Sequence, residues 1–307
     1  MNFKKLAVGL GVGLALGCAA AQAQTIAFQD DDIDFLLTSS LQPKTSGAFA
    51  VGDVLVSVFE MPTYTIGGVD AIPAGQELTG IAAIQITSIS GTGVGTVITF
   101  SAYSGGFNAI SPVDVADGDA GEGATVAMWL NDTGTFDLNL VFGTTIGTPT
   151  NCTSLIQCMT EASSGSLVQV DGFAGDADEF WTSVISVPGG ADPATVRGIS
   201  GATGVAQFNA AQTTFFNVTG PIGFQDISGS ACPTGSMAAD GCVAGPAITG
   251  PILGGAGLNA AIVADGAFAR SDIDASKLLA TPVPEPATLA LLGVSLLGFA
   301  ATRRRSK

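Results

Sequence analysis

The stretch ATVAMWLNDTGTFDLNL, residues 124–140, decides the fold class. Side chains alternate across an extended chain with period two, so Val126, Met128 and Leu130 fall on one face. Asn131, Asp132, Thr133 and Gly134 then carry turn chemistry, and Phe136, Leu138 and Leu140 resume the alternation against Asp137 and Asn139, which leaves one wet face. This pattern predicts a β-hairpin. Working outward, runs rich in Val, Ile, Thr and Phe, separated by Gly, Pro, Asn and Asp, predict further strands near 49–60, 78–89, 94–102, 166–170, 180–187, 205–218 and 260–264, with 124–130 and 135–142 as the hairpin. The expected fold is all-β, a sandwich or barrel-like secreted domain. The 42 glycines, about twice ordinary usage, match many turns. They follow no fixed period, so nothing supports a solenoid.

Both chain ends differ in composition from this body. At the start, Lys4 and Lys5 precede an apolar run over 6–16, and Ala21-Gln22-Ala23 offers small residues to a peptidase. That is the layout of a secretory signal peptide over 1–23, which implies the Sec translocon and signal peptidase as partners. The rival is a lipoprotein box at Leu16-Gly17-Cys18 with Cys18 acylated. Its Ala15-Leu16 order inverts the usual one, and the Ala-x-Ala site is the better formed.

At the other end, Pro284-Glu285-Pro286 is followed by fifteen uncharged residues, 287–301, and then by Arg303-Arg304-Arg305-Ser306-Lys307. Prolines lack the amide donor and disfavour helix before them, so the tripeptide stays extended while a helix begins after it. A membrane core takes about 20 helical residues, fewer where flanking side chains snorkel. The segment 287–302 therefore reads as a single C-terminal transmembrane helix, with Arg303, Arg304 and Arg305 as a cytoplasmic stop and everything before Pro284 outside.

Val283-Pro284-Glu285-Pro286, the apolar segment and the arginine cluster resemble the PEP-CTERM sorting signal of Gram-negative bacteria. The resemblance is confined to about residues 282–307. It implies an exosortase that reads Pro284, Glu285 and Pro286, cleavage near these prolines, and release or transfer of the body to the cell surface. It further implies an exopolysaccharide or biofilm setting. It carries sorting and no chemistry.

The expected extracytoplasmic domain is then 24–281. Of ten basic residues only Lys44, Arg197, Arg270 and Lys277 lie in it, against 25 of the 26 acidic ones, a formal charge of −21. Nucleic-acid binding needs clustered Lys and Arg, and the closest basic pair here is seven positions apart. Disorder, the other reading of an acidic chain, conflicts with 47% hydrophobic residues arranged in strand-length runs.

Four cysteines lie in that domain, and an oxidising destination favours disulfides. Local closure as Cys152–Cys158 and Cys232–Cys242 is the simplest of three pairings. A zinc site from the four is poorly matched by spacings of six and ten without any histidine.

The absence of histidine also removes Ser-His-Asp and Cys-His triads. Ser-Lys chemistry would need Lys44 or Lys277, and neither sits in a nucleophile motif. Carboxylate pairs of glycosidase type remain open, but aromatic platforms are few: Trp129, Trp181, Tyr64 and Tyr103. No catalytic residue is assigned. Asp114, Asp117, Asp119 and Glu122, and also Asp176, Asp178 and Glu179, could offer oxygen ligands to calcium, although neither spacing fits a known calcium loop. Solvated acidic turns are the simpler reading, and no cofactor is expected. Asp30-Asp31-Asp32 reads as a flexible acidic lead-in.

The expectation is thus a non-enzymatic cell-surface or matrix protein, exported, held transiently in the inner membrane and sorted by an exosortase. A lectin-like or calcium-dependent carbohydrate-binding module is the alternative. A secreted glycan hydrolase is the third.

Overall fold

Period-two alternation builds twelve strands into one antiparallel sheet in the computed structural model, which describes residues 24–66, 68–115, 123–136, 152–173, 180–200, 204–217, 231–232, 243–244 and 248–279. In chain order the strands are β1 (Gln24–Leu37), β2 (Val54–Ile66), β3 (Val69–Asp70), β4 (Gln76–Ser90), β5 (Val97–Ala102), β6 (Ala124–Asp132), β7 (Ser166–Gly172), β8 (Phe180–Ile185), β9 (Ala206–Ala211), β10 (Thr213–Asn217), β11 (Ala231–Cys232), β12 (Val243–Ala244), β13 (Ile248–Leu253) and β14 (Ala267–Leu279). β11 and β12 form a separate parallel pair.

Eight of these strands close on themselves. The circuit runs β1, β2, β4, β5, β8, β9, β13, β14 and back to β1, because β2 pairs β4 on one side while β1 pairs β14 on the other. Of the two expected architectures, the closed barrel is the one formed. Closure removes exposed strand edges from the circuit.

One strand makes a branch. The far edge of β4 is shared: its first half pairs β6, from Gln76↔Asp132 to Ala82↔Val126, and its second half pairs β5, from Ile84↔Ala102 to Ser90↔Val97. β6 continues to β7 and β7 to β10, and β10 follows β9 with only Gln212 between them. This wing therefore starts from one barrel strand and returns to the chain leaving another.

The hairpin expectation is half right. The 124–130 strand is present as β6, and the turn holds Gly134 at φ 82°. Thr135 and Phe136, however, are not in a strand; the Glu77 carboxylate accepts the Gly134 and Phe136 backbone N–H groups at 2.8 and 2.7 Å and pulls the turn onto β4. Residues 137–142 lie outside the described residues.

The 260–264 strand is overturned: it is a short helix, Ala260–Ala264, with Asn259 Oδ1 accepting the Ala261 N–H at 2.8 Å. An N-cap and alanines outweighed Ile262 and Val263. The 49–60 strand starts later, at Val54, and the 205–218 run divides into β9 and β10.

Alternation sorts apolar side chains into two cores. Inside the barrel and under the wing lie Phe28, Leu55, Phe59, Leu78, Met128 and Phe208. Outside, Ile33, Val56, Ile81 and Trp129 pack against Phe107, Phe136 and a helix, Leu155–Ala162. β6 is thus buried on both faces, which the wet-face reading of the hairpin did not anticipate.

The helix is capped by Ser154, whose Oγ accepts the Gln157 N–H at 3.3 Å, and it buries Leu155, Cys158, Met159 and Ala162, the spacing of one helical face. Asn131 Nδ2 donates to its terminal carbonyl, Ala162 O, at 3.1 Å. The Cys152–Cys158 disulfide is formed and ties the approach to the helix to its first turns. A loop this short contributes about 2 kcal/mol in the chain-entropy account. Cys242, the expected partner of Cys232, lies outside the described residues.

Candidate functional site

Three aspartates at alternate positions of β1 are the residues that the outward-facing rules of composition misplace. Asp30, Asp32 and Asp34 all point into the barrel, and Asp32 and Asp34 are 2% and 1% exposed. The acidic run is not a lead-in. It is a central stretch of a strand held by β14 on one edge and by β2 on the other.

These carboxylates form one wall of a cavity of about 60 Å³. At roughly 10–15 Å³ for a water centre, the space accommodates several waters or a small ligand. Ser57 from β2 and Ser271 from β14 flank the acids, and Asp171 and Gln212 lie at the wing. The remaining lining is apolar: Phe28, Phe59, Met128, Trp181, Phe208 and others. The β1 aspartates and the serines beside them on β2 and β14 thus form one polar strip, flanked on the same strands by Phe28, Leu55, Phe59 and Met61, and the wall across from it is aromatic and aliphatic apart from Asp171 and Gln212.

Hydrogen bonds hold the acidic wall in place. Asp32 Oδ1 accepts the Ser271 backbone N–H at 2.6 Å, Asp34 Oδ2 accepts the Ser271 hydroxyl at 2.7 Å, and Asp34 Oδ1 accepts the Ser57 hydroxyl. At the wing, Gln169 Nε2 donates to Asp171 Oδ2 at 2.7 Å and the Tyr64 hydroxyl donates to Gln169 Oε1 at 3.3 Å. Thr125 Oγ1 donates to Gln212 Oε1 at 2.6 Å. Trp181 is 7% exposed, packs edge-on against Phe208 at 4.8 Å between ring centres, and its indole N–H has no hydrogen-bond partner among the described residues.

Burial dominates the electrostatics. It raises the Asp32 carboxyl well above its ordinary range, the charges of Asp34 and Asp30 raise it further, and the Ser271 bonds oppose them. Asp34 is raised by burial against the pull of Ser57 and Ser271. Burial likewise raises Tyr64, helped by Asp171. Arg270, behind the acidic wall on β14, is lowered to about 10 by burial despite Asp32 and Asp31.

A raised carboxyl binds its proton more tightly folded than unfolded. Its contribution is therefore fully present below the unfolded value and is lost as pH rises through the folded one. Each unit of such a shift corresponds to about 1.4 kcal/mol. Thermal unfolding between pH 7.5 and pH 5 should show a higher Tm at the lower pH, and Asp32→Asn should raise Tm at pH 7.5 and flatten the dependence. A Tm that falls on acidification in the parent, or a slope unchanged by Asp32→Asn, would refute the assignment.

The other expected sites fare unevenly. Asp114 is exposed and accepts a hydrogen bond from Asn108 Nδ2, while Asp117, Asp119, Glu122, Asp176, Asp178 and Glu179 lie outside the described residues. Among the described residues no group of three His, Cys, Asp or Glu side chains is arranged to hold a metal ion. Lys44 is engaged by Asp53 and by Ala48 O.

Sequence reading missed Asp30, Asp32, Asp34, Ser57, Asp171, Trp181, Gln212 and Ser271 as one site. The available signal was the alternation Phe28, Asp30, Asp32, Asp34, Leu36, a strand face bounded by apolar residues.

Pro284, Glu285, Pro286, the 287–302 segment and Arg303 to Arg305 lie outside the described residues, as does the 1–23 segment. Among the described residues no helix is long and apolar enough to cross a membrane. No curated protein and no solved structure matches the chain. The family model of the PEP-CTERM protein-sorting motif does match, over residues 282–305, and so the C-terminal segment of this barrel protein carries the signal of an exported protein sorted by an exosortase.

Proposed function

We propose that the chain is a non-enzymatic protein of the cell surface or extracellular matrix, whose barrel is exported behind a signal peptide over 1–23. On this reading the 287–302 segment holds the precursor in the inner membrane until an exosortase acts at Pro284-Glu285-Pro286, and the barrel then resides in exopolysaccharide. The observation that carries the reading is a sorting motif at 282–305 that follows a body, Gln24–Leu279, forming a compact unit of its own. Such a body can leave its tail without losing its core.

The carbohydrate-binding and glycan-hydrolase alternatives draw less support. Sugar sites present aromatic faces to solvent, yet Trp129, Trp181 and Tyr64 are all buried in the two cores. Only Tyr103 of the four is partly open.

Fractionating cells that form flocs or biofilm tests the proposal. Protein extracted from the polysaccharide matrix should begin near Gln24 and end close to residue 284 by mass spectrometry of its termini. Recovery of the chain only with Met1 and Lys307 attached, or only from cytoplasm, would overturn it.

A further inference from the structure

We propose that the barrel cavity binds a small organic cation, with an ammonium or guanidinium group seated against Asp32 and Asp34 and a hydrocarbon body against Trp181, Phe208 and Met128. This goes beyond the sorting and matrix reading and stands or falls independently of it.

The first support is the division of the wall. Asp30, Asp32 and Asp34 crowd one side of the cavity, and the side across from them is largely apolar, with Asp171 and Gln212 as its polar members. Like carboxylates brought together out of water destabilise one another's charged forms, and burial does the same to each singly. A bound cation reverses both effects where attraction is least screened. A neutral apolar guest would leave the repulsion between these carboxylates unrelieved.

The second support is independent of the acids. Trp181 is nine-tenths buried, stands on the cavity wall, and has an indole N–H without a partner among the described residues. A buried donor left unmade costs free energy, so a guest bearing an acceptor oxygen on its hydrocarbon body would complete it.

A metal ion is the less suitable occupant. Hard cations need several oxygens converging within about 2.0–2.6 Å. Successive inward side chains on one strand are separated by about 6.6 Å and point in parallel. This agrees with the lack of a three-ligand metal group among the described residues. The strongly acidic body adds a long-range field that concentrates cations of any kind near the barrel.

A matched pair of probes tests the charge requirement. 6-Amino-1-hexanol and 1,6-hexanediol have the same length and both are freely water-soluble, but only the first carries a cation. Calorimetric titration of the full chain in lipid nanodiscs, with empty nanodiscs as reference, should give saturable binding of the amine about 30-fold or more tighter than the diol, the loss expected for a buried charge pair. Tryptophan fluorescence should change with the same midpoint, and the change should vanish in Trp181→Phe. Asp32→Asn should weaken the amine by a similar factor while leaving the diol unaffected. Equal affinity for the two probes, absence of saturable amine binding, or amine binding displaced by equimolar calcium would overturn the proposal. The probe comparison needs only the parent chain, so it decides the matter even if Asp32→Asn fails to fold.

Discussion

Replacing Pro284, Glu285 and Pro286 together by alanine is expected to abolish release of the barrel and leave the full-length precursor in the inner membrane. Alanine is the best helix former, so if 287–302 is helical as proposed, the substitution would let that helix extend backward through 284–286. That would remove the extended bias of the two prolines and also the side chains an exosortase would recognise. The body is untouched, since Gln24–Leu279 forms its own compact unit. Immunoblots of medium, surface and membrane fractions should shift from mostly processed to almost wholly unprocessed chain. A processed variant in the medium at parental levels would end the exosortase assignment.

Filling the space at Gly80 should have the largest effect on the fold. Gly80 lies on β4 opposite Phe59 of β2 and Met128 of β6. A Cβ placed there would come within 2.1 Å of Phe59 Cζ and 2.8 Å of the Ala127 carbonyl. The buried ring can move only into the cavity it lines, giving up its packing around Gly80. Backbone on the other side cannot retreat at all without breaking the β4–β6 ladder.

Overpacking of this kind costs about 1–3 kcal/mol or more, and Gly80→Val belongs at the upper end. For a domain of this size about 3 kcal/mol corresponds to a fall of roughly 6–12 °C in Tm. Pairing Gly80→Val with Phe59→Ala should recover part of the loss, and the coupling measured in the double-mutant cycle isolates the clash. A Gly80→Val protein melting within a degree or two of the parent would show that Phe59 does not lie over this position. The same substitution drives Phe59 toward the acidic wall, so it should weaken amine binding even in the folded fraction.

The strands that sequence reading found are those whose apolar face is continuous. β4, β5, β6, β7 and β8 are rich in β-branched and aromatic residues, and propensity together with period two locates them to within a few positions. β1 and β14 escaped for the opposite reason. Asp30, Asp32, Asp34, Arg270 and Ser271 interrupt their apolar pattern, and an acidic strand face is ordinarily the solvent face. Only closure of the barrel, by pairing β1 with β14 over residues more than two hundred positions apart, turns that face inward.

The helix Leu155–Ala162 escaped because it is short. Its apolar stripe of Leu155, Cys158, Met159 and Ala162 is legible once the outer faces of β2, β4 and β6 are known to need covering. The disulfide beside it was readable from local spacing, since a separation of six positions brings the two cysteines within reach in a capped turn.

The sequence by itself determined the C-terminal sorting motif and the strand-forming character of the body, because a sorting motif, turn residues and alternating side chains act through neighbours a few positions away. Tertiary structure alone decided that the strands close into a barrel, that β6 is covered on both sides, and that three aspartates face a buried cavity. Those outcomes depend on pairings between distant segments, and whether an alternating face meets water or a core is fixed only when its partner strands arrive.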